Sequence, residues 1–172
     1  MANTFVKIAT VTVGAGGAST MDFTSIPSTY TDLVLKISGR AAAPTTDQTF
    51  NIRFNNSAAA SYSTRRLYGS GSAAGSDSDS GATSINIYSV PSAGATASTF
   101  GNAEIYIPNY AGSTNKSVSV DSVTEDNATR ALATLAAGLW SNTAAINQIT
   151  VLVSGTTFVQ YSTATLYGIS KS

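Results

Sequence analysis

The chain contains no cysteine and no histidine. Without cysteine it has no disulfide framework, no thiolate nucleophile and no cysteine zinc site. Without histidine it lacks the commonest general base and transition-metal ligand, so its own side chains supply neither a Ser-His-Asp nor a Cys-His arrangement. Charge is scarce too: 10% of residues are charged, against roughly 25% in ordinary soluble domains. Nine basic residues balance nine acidic ones. A neutral chain favours association over repulsion between copies. It also lacks the basic footprint that nucleic acid requires, since no basic cluster exceeds the pair Arg65-Arg66. Long apolar runs are missing as well. Residues 131–170 carry no charge, yet Ser141-Asn142-Thr143 and Asn147-Gln148 interrupt them well short of a membrane span of ~20 residues. Near the start only Lys7 is charged, and Phe5–Val13 alternates instead of forming the apolar block of a signal peptide. No membrane and no nucleic-acid partner is expected.

What is present is 42% hydrophobic residues in 172, enough for one core without staples. The chain reads as a single domain over residues 1–172, with residues 1–25 an N-terminal strand or arm. Apolar residues recur with period two. Leu33, Leu35, Ile37 and Gly39 alternate with Val34, Lys36, Ser38 and Arg40. The same rhythm runs through Phe50-Ile52-Phe54, Ile85-Ile87, Ala103-Ile105-Ile107, Val118-Val120, Ile149-Val151-Val153 and Thr163–Ile169. It describes strands with one face on a core. Weaker segments at Phe5–Val13, Ser61–Tyr68 and Arg130–Leu139 bring the expectation to about nine or ten strands. Turn residues separate them at Gly14–Gly17, Ala43-Pro44, Pro91–Gly94, Pro108-Asn109 and Ser154-Gly155. The expected fold is all-β, a two-sheet β-sandwich of the jelly-roll kind. Ala131, Leu132, Leu135, Ala136 and Leu139 also fit a helical stripe. The strand reading, with Ala131, Ala133, Leu135, Ala137 and Leu139 on one face, is preferred because its neighbours are strands. Gly69–Gly81 is read as a mobile loop.

The remaining chemistry is sparse. A Ser–Lys pair is the one formal nucleophile and base, drawn from four lysines. Asp121 and Glu125 share strand parity but lie ~13 Å apart along it, outside the ~5–9.5 Å that glycosidases use. Glu104 could approach either across strands. Asp77-Ser78-Asp79-Ser80-Gly81 is not an EF-hand loop, because its glycine is fifth rather than sixth and Tyr88 stands where glutamate belongs. No enzyme, metal or cofactor is expected. Five residues are candidates for contact. Arg65 and Arg66 would meet a partner carboxylate or acidic glycan, although one of them must point away from the other on a strand. Trp140 would be part of a sugar platform with the tyrosines. Gln148 and Thr150 lie on the charge-free outer face of the final stretch, where uncharged residues tolerate burial against a second copy.

Several segments resemble virion structural proteins of tailed phages, notably those of aquatic bacteria and cyanobacteria. They are Ile26-Pro27-Ser28-Thr29-Tyr30-Thr31-Asp32-Leu33-Val34-Leu35, then Phe54-Asn55-Asn56 with Tyr62-Ser63 and Arg65-Arg66-Leu67. Ile105–Tyr110, Gly138–Ser141 and the closing run from Ile146 through Phe158 to Ile169 are similar too. The resemblance spans residues 26–169. It implies a capsid decoration (cement) protein on the outer capsid surface, bound to the major capsid protein and, by analogy, trimeric. The alternative it implies is a tail-fibre or baseplate module that binds host-surface glycan.

Overall fold

Alternation in the sequence becomes pairing in space, and the apolar parity turns inward except over residues 131–139, where Ala133, Leu135 and Ala137 turn outward. The computed structural model describes residues 4–128 and 131–170. It contains fourteen strands and no helix among the described residues. They are β1 (Phe5–Thr12), β2 (Thr20–Phe23), β3 (Asp32–Gly39), β4 (Asp47–Gln48), β5 (Phe50–Phe54), β6 (Tyr62–Gly69) and β7 (Ala74–Ala82). There follow β8 (Ile85–Asn86), β9 (Val90–Pro91), β10 (Gly101–Pro108), β11 (Lys116–Glu125), β12 (Ala131–Trp140), β13 (Ile149–Val153) and β14 (Thr163–Ile169).

The strands form an eight-stranded sheet ordered β1-β14-β3-β10-β11-β12-β6-β7 and a four-stranded sheet ordered β2-β13-β5-β8. A two-stranded ribbon, β4-β9, stands beside them. Strands β1-β14-β3-β10 of the large sheet and β2-β13-β5-β8 of the small one interleave along the chain, so successive members lie mostly in opposite sheets. That order is the double Greek key of a jelly roll. Two hairpins are inserted into it: β6–β7 between β5 and β8, and β11–β12 between β10 and β13. Both join the free side of β10, so half of the large sheet is an extension, which the small sheet meets through its edge strand β8.

The jelly-roll core is aliphatic and aromatic. Leu33, Leu35, Ile37, Ile105, Ile107 and Leu166 from the large sheet meet Met21, Phe23, Phe50, Ile52, Phe54 and Val151 from the small one. Phe50 packs edge-on to Phe158 at 4.7 Å, and a Cβ on Gly39 would lie 2.6 Å from the Phe50 ring. The inner face of the extension is covered differently, by residues 84–91. Its middle, residues 87–89, lies between the short strands β8 and β9 and is irregular, so its carbonyls need partners from elsewhere. Ser122 Oγ donates to the Ile87 carbonyl at 3.0 Å, and Thr124 Oγ1 to that of Ser89 at 2.6 Å. Polar residues therefore occupy buried positions on β11. Gly138 leaves room for the segment, since a Cβ there would meet Ile85 Cγ2 at 2.7 Å.

The strand total exceeds the nine or ten expected, and the largest correction is β7. The Gly69–Gly81 stretch is a turn followed by an edge strand, in register with β6 from Ser63↔Ser80 to Gly69↔Ala74. Its Ser, Asp and Gly side chains carry no apolar alternation, and main-chain bonds to β6 hold it. Residues 131–139 form a strand, as preferred over the helix; Arg130, at the start of the expected segment, lies outside the described residues. Residues 4–25 are integral to the sandwich, with β1 on β14 and β2 on β13. The turn between them uses Gly17, at φ +70°, whose N–H donates to the Gly14 carbonyl.

Among the described residues, Arg40 and Lys116 are buried with no carboxylate in ion-pair range. Arg40 donates to the carbonyls of Ala95, Thr96 and Thr99 and so clamps that loop. Lys116 Nζ donates to the carbonyls of Gly112, Thr114 and Thr143, joining the β10–β11 turn to the segment after β12. Burial holds the Lys116 amine below its ordinary pKa.

Candidate interaction face

On β12 the even residues Leu132, Thr134, Ala136, Gly138 and Trp140 are buried. The odd residues Ala131, Ala133, Leu135, Ala137 and Leu139 point the other way, onto the outer face of the extension. Cross-strand register widens this stripe. Leu135 sits between Leu67 on β6 and Asp121 on β11. Ala133 sits between Gly69 and Val123, and Ala137 between Arg65 and Ser119. Leu67 is 62% exposed and Leu135 59%, so two adjacent leucines stand in solvent at the middle of a sheet. Val123 and Ala133 extend the apolar area on one side of them and Ala137 on the other. Two troughs flank the leucines. One, of about 690 Å³, is lined by Arg65, Ser76, Ser119 and Ala137. The other, of about 580 Å³, is lined by Tyr68, Gly75, Asp121 and Ala133.

The five candidate residues separate. Arg65 lies on this outer face, where Nη1 donates to the carbonyls of Thr64 and Asp79. Arg66 points to the inner face. It pairs with Asp77 and its guanidinium stacks 3.7 Å from the Tyr88 ring centroid and 4.4 Å from that of Tyr68. The opposite orientation of the two arginines follows from strand parity. Hydrogen bonds from Arg66 hold the Asp77 carboxyl below the ordinary carboxylate range, with burial opposing them and the Arg66 charge adding to them.

Trp140 is a correction. It is 1% exposed, stacked on Tyr62 at 6.1 Å and packed against Phe54 at 5.6 Å. It seals the junction between the small sheet and the extension and offers no ring to a sugar. Thr150 is the second correction. It is 6% exposed, and its hydroxyl donates to Asp22 Oδ1 at 2.6 Å. In register it lies between Asp22 on β2 and Arg53 on β5. The outer face of β13 is thus bracketed by charges from neighbouring strands, which the charge-free stretch itself does not reveal. Gln148 is half-buried, and its main chain exchanges hydrogen bonds with Asn55.

The nucleophile, base and carboxylate candidates are held apart or engaged elsewhere among the described residues. Ser113 and Lys116 stand at S-x-x-K spacing. Lys116 is committed to three carbonyls, while Ser113 is exposed in the turn. Glu104 lies directly across from Asp121, on an open sheet face, and is bonded to Lys36 at 2.8 Å. Among the described residues no group of three or more His, Cys, Asp or Glu could hold a metal ion. Asp77–Gly81 lies within β7 and is not a calcium loop.

What sequence reasoning missed is the Leu67–Leu135 pair. Its signal was present, because β12 is apolar on both parities and a two-layer sandwich needs only one. No family model matches this chain, and neither curated proteins nor solved structures provide a match.

Proposed function

We propose that the chain is a non-enzymatic structural protein of a tailed-phage virion, a capsid decoration protein that bridges neighbouring capsid subunits as a homotrimer on the outer shell. The observation that carries this reading is the exposed apolar face of β11, β12 and β6 on an otherwise neutral jelly roll. A sheet face with two solvent-exposed leucines and a row of alanines is stabilised by burial against protein. The absence of unpaired charge from its centre favours burial, because a lone charge there would cost several kcal/mol. The jelly-roll topology suits a compact module set on a surface, and the sequence resemblance supports the virion. Burial of Trp140 removes the ring on which the glycan-binding alternative chiefly rested.

The mechanism is interfacial. Apolar area buried between copies and against the shell opposes the outward pressure of packed DNA. Quantitative mass spectrometry of purified particles tests the reading. Hundreds of copies per particle are expected. A handful would place the protein in the tail, and none would remove it from the virion. The same preparation is expected to leave polysaccharide and peptidoglycan intact. Hydrolysis abolished by Glu104→Gln or Asp121→Asn would overturn the non-enzymatic assignment.

A further inference from the structure

We propose that the outer face of β11, β12 and β6 is the contact between copies of this chain, and that Arg65 of one copy pairs with Asp121 of the next. The proposal deepens the self-association part of the proposed function and rests on that part alone.

The apolar stripe is spare. Trp140, Ala136 and Leu132 already serve the core from the other side of β12, so the core does not draw on the exposed odd positions Ala133, Leu135 and Ala137. The charges on either flank of the stripe then indicate what covers it. Arg65 stands on the β6 side and Asp121 on the β11 side, with β12 between them. Neither has an ion-pair partner within its own chain among the described residues. The Arg65 hydrogen bonds all run from Nη1 to carbonyls. Asp121 faces Glu104 across the β10–β11 pairing, and Lys36, on the far side of Glu104, is already bonded to that glutamate at 2.8 Å. Two like charges directly opposite on adjacent strands repel, so Asp121 lacks a cation that the described residues of its own chain do not provide.

A second copy provides it. A rotation axis parallel to β12 lays the β11 flank of one copy on the β6 flank of the next, with no shift along the strands. In register, Arg65 is level with Ala137 and Asp121 with Leu135. The two are therefore offset by one same-face step, about 7 Å along a strand, which a guanidinium on its flexible stem spans. Acid on one flank and base on the other make the face complementary to itself, and repetition of one contact about an axis closes the assembly. Leu135, on the central strand, faces that axis.

The test is mass by light scattering on the purified chain, with circular dichroism to show that each variant keeps its strands. The wild type is expected as a closed oligomer at micromolar concentration. Arg65→Asp and Asp121→Arg, made singly, are each expected to weaken association about tenfold or more. The double variant Arg65→Asp/Asp121→Arg restores the pair with its polarity exchanged, and is expected to recover wild-type association to within a few-fold. Leu135→Asp is expected to be monomeric. A monomeric wild type overturns the proposal. So does an oligomer that survives the single reversals unchanged, or single reversals that weaken association without recovery in the double variant. None of these outcomes depends on the copy number in particles, so failure here and failure of the virion assignment are separately visible.

Discussion

The two halves of the large sheet use the same strand alternation for different ends. In the jelly-roll half, β3, β10 and β14 give their apolar parity to a core shared with a second sheet, and their outer face carries Lys36, Glu104, Thr165 and Tyr106. In the extension, the inner parity of β11 carries Ser122 and Thr124 to serve the backbone of residues 84–91, while β12 presents leucine and alanine outward. The covering element decides the difference. A sheet satisfies its own main chain and asks only for apolar side chains, whereas an irregular segment brings carbonyls that hydroxyls must meet. Leucines on the extension's outer face, Leu67 and Leu135, stay exposed.

The sharpest contrast between the halves is in single truncations. Phe50→Ala in the jelly-roll core is expected to cost about 3–5 kcal/mol, from lost burial and the cavity beside Phe158, measured by urea unfolding. Leu135→Ala in the extension is expected to change unfolding by less than about 0.5 kcal/mol where the chain is monomeric. A comparable loss at Leu135 would mean that the outer face is packed within the chain.

The jelly-roll half of this division was legible beforehand. The parities of Leu33–Gly39, Phe50–Phe54, Ala103–Ile107 and Ile149–Val153 all turn inward as the alternation implies. The edge strand β7 was not legible, because Ser76–Gly81 offers no apolar contrast and its pairing rests on main-chain bonds to β6. The surroundings of Thr150 were hidden for another reason. Asp22 and Arg53 reach it from strands distant in sequence, and a single strand's composition says nothing of its neighbours' charge. Trp140 looked available because it ends a strand beside a polar turn, yet the parity that buries Ala136 and Gly138 buries it too.

The inner face of the extension gives the next two effects in size. Gly138→Val is expected to cost about 1–3 kcal/mol by overpacking, because the new Cβ meets Ile85. Loosened exchange protection confined to residues 84–91 would show that the segment, rather than the strand, gives way. Ser122→Ala, which strands the Ile87 carbonyl, is expected to cost about 1 kcal/mol. No measurable cost would mean that water replaces the hydroxyl.

The smallest effect is electrostatic and belongs to the β6–β7 edge. Arg66 depresses the Asp77 pKa, so the pair's stabilisation is present above the unfolded carboxylate pKa and is lost as pH falls through the folded one. Acid titration of unfolding is expected to show a slightly shallower loss in Asp77→Asn than in the wild type. The effect is small because the Asp77 side chain is 43% exposed and solvent screens it. An identical acid limb in the two proteins would detach the pair from stability.

The insertion of β6–β7 far upstream of the strand that receives it also sets an order of assembly. The hairpin closes on local contacts, as do the consecutive strands β10, β11 and β12. Docking β6 onto β12 requires closure of a long loop and must wait for both. During synthesis the finished hairpin therefore stands unpaired on its β6 side until β12 has been made. Its other edge is β7, where Asp77 and Asp79 are set among serine and glycine. Such a strand is a poor template for stray pairing, and it forms the side of the hairpin that stays open after folding is complete.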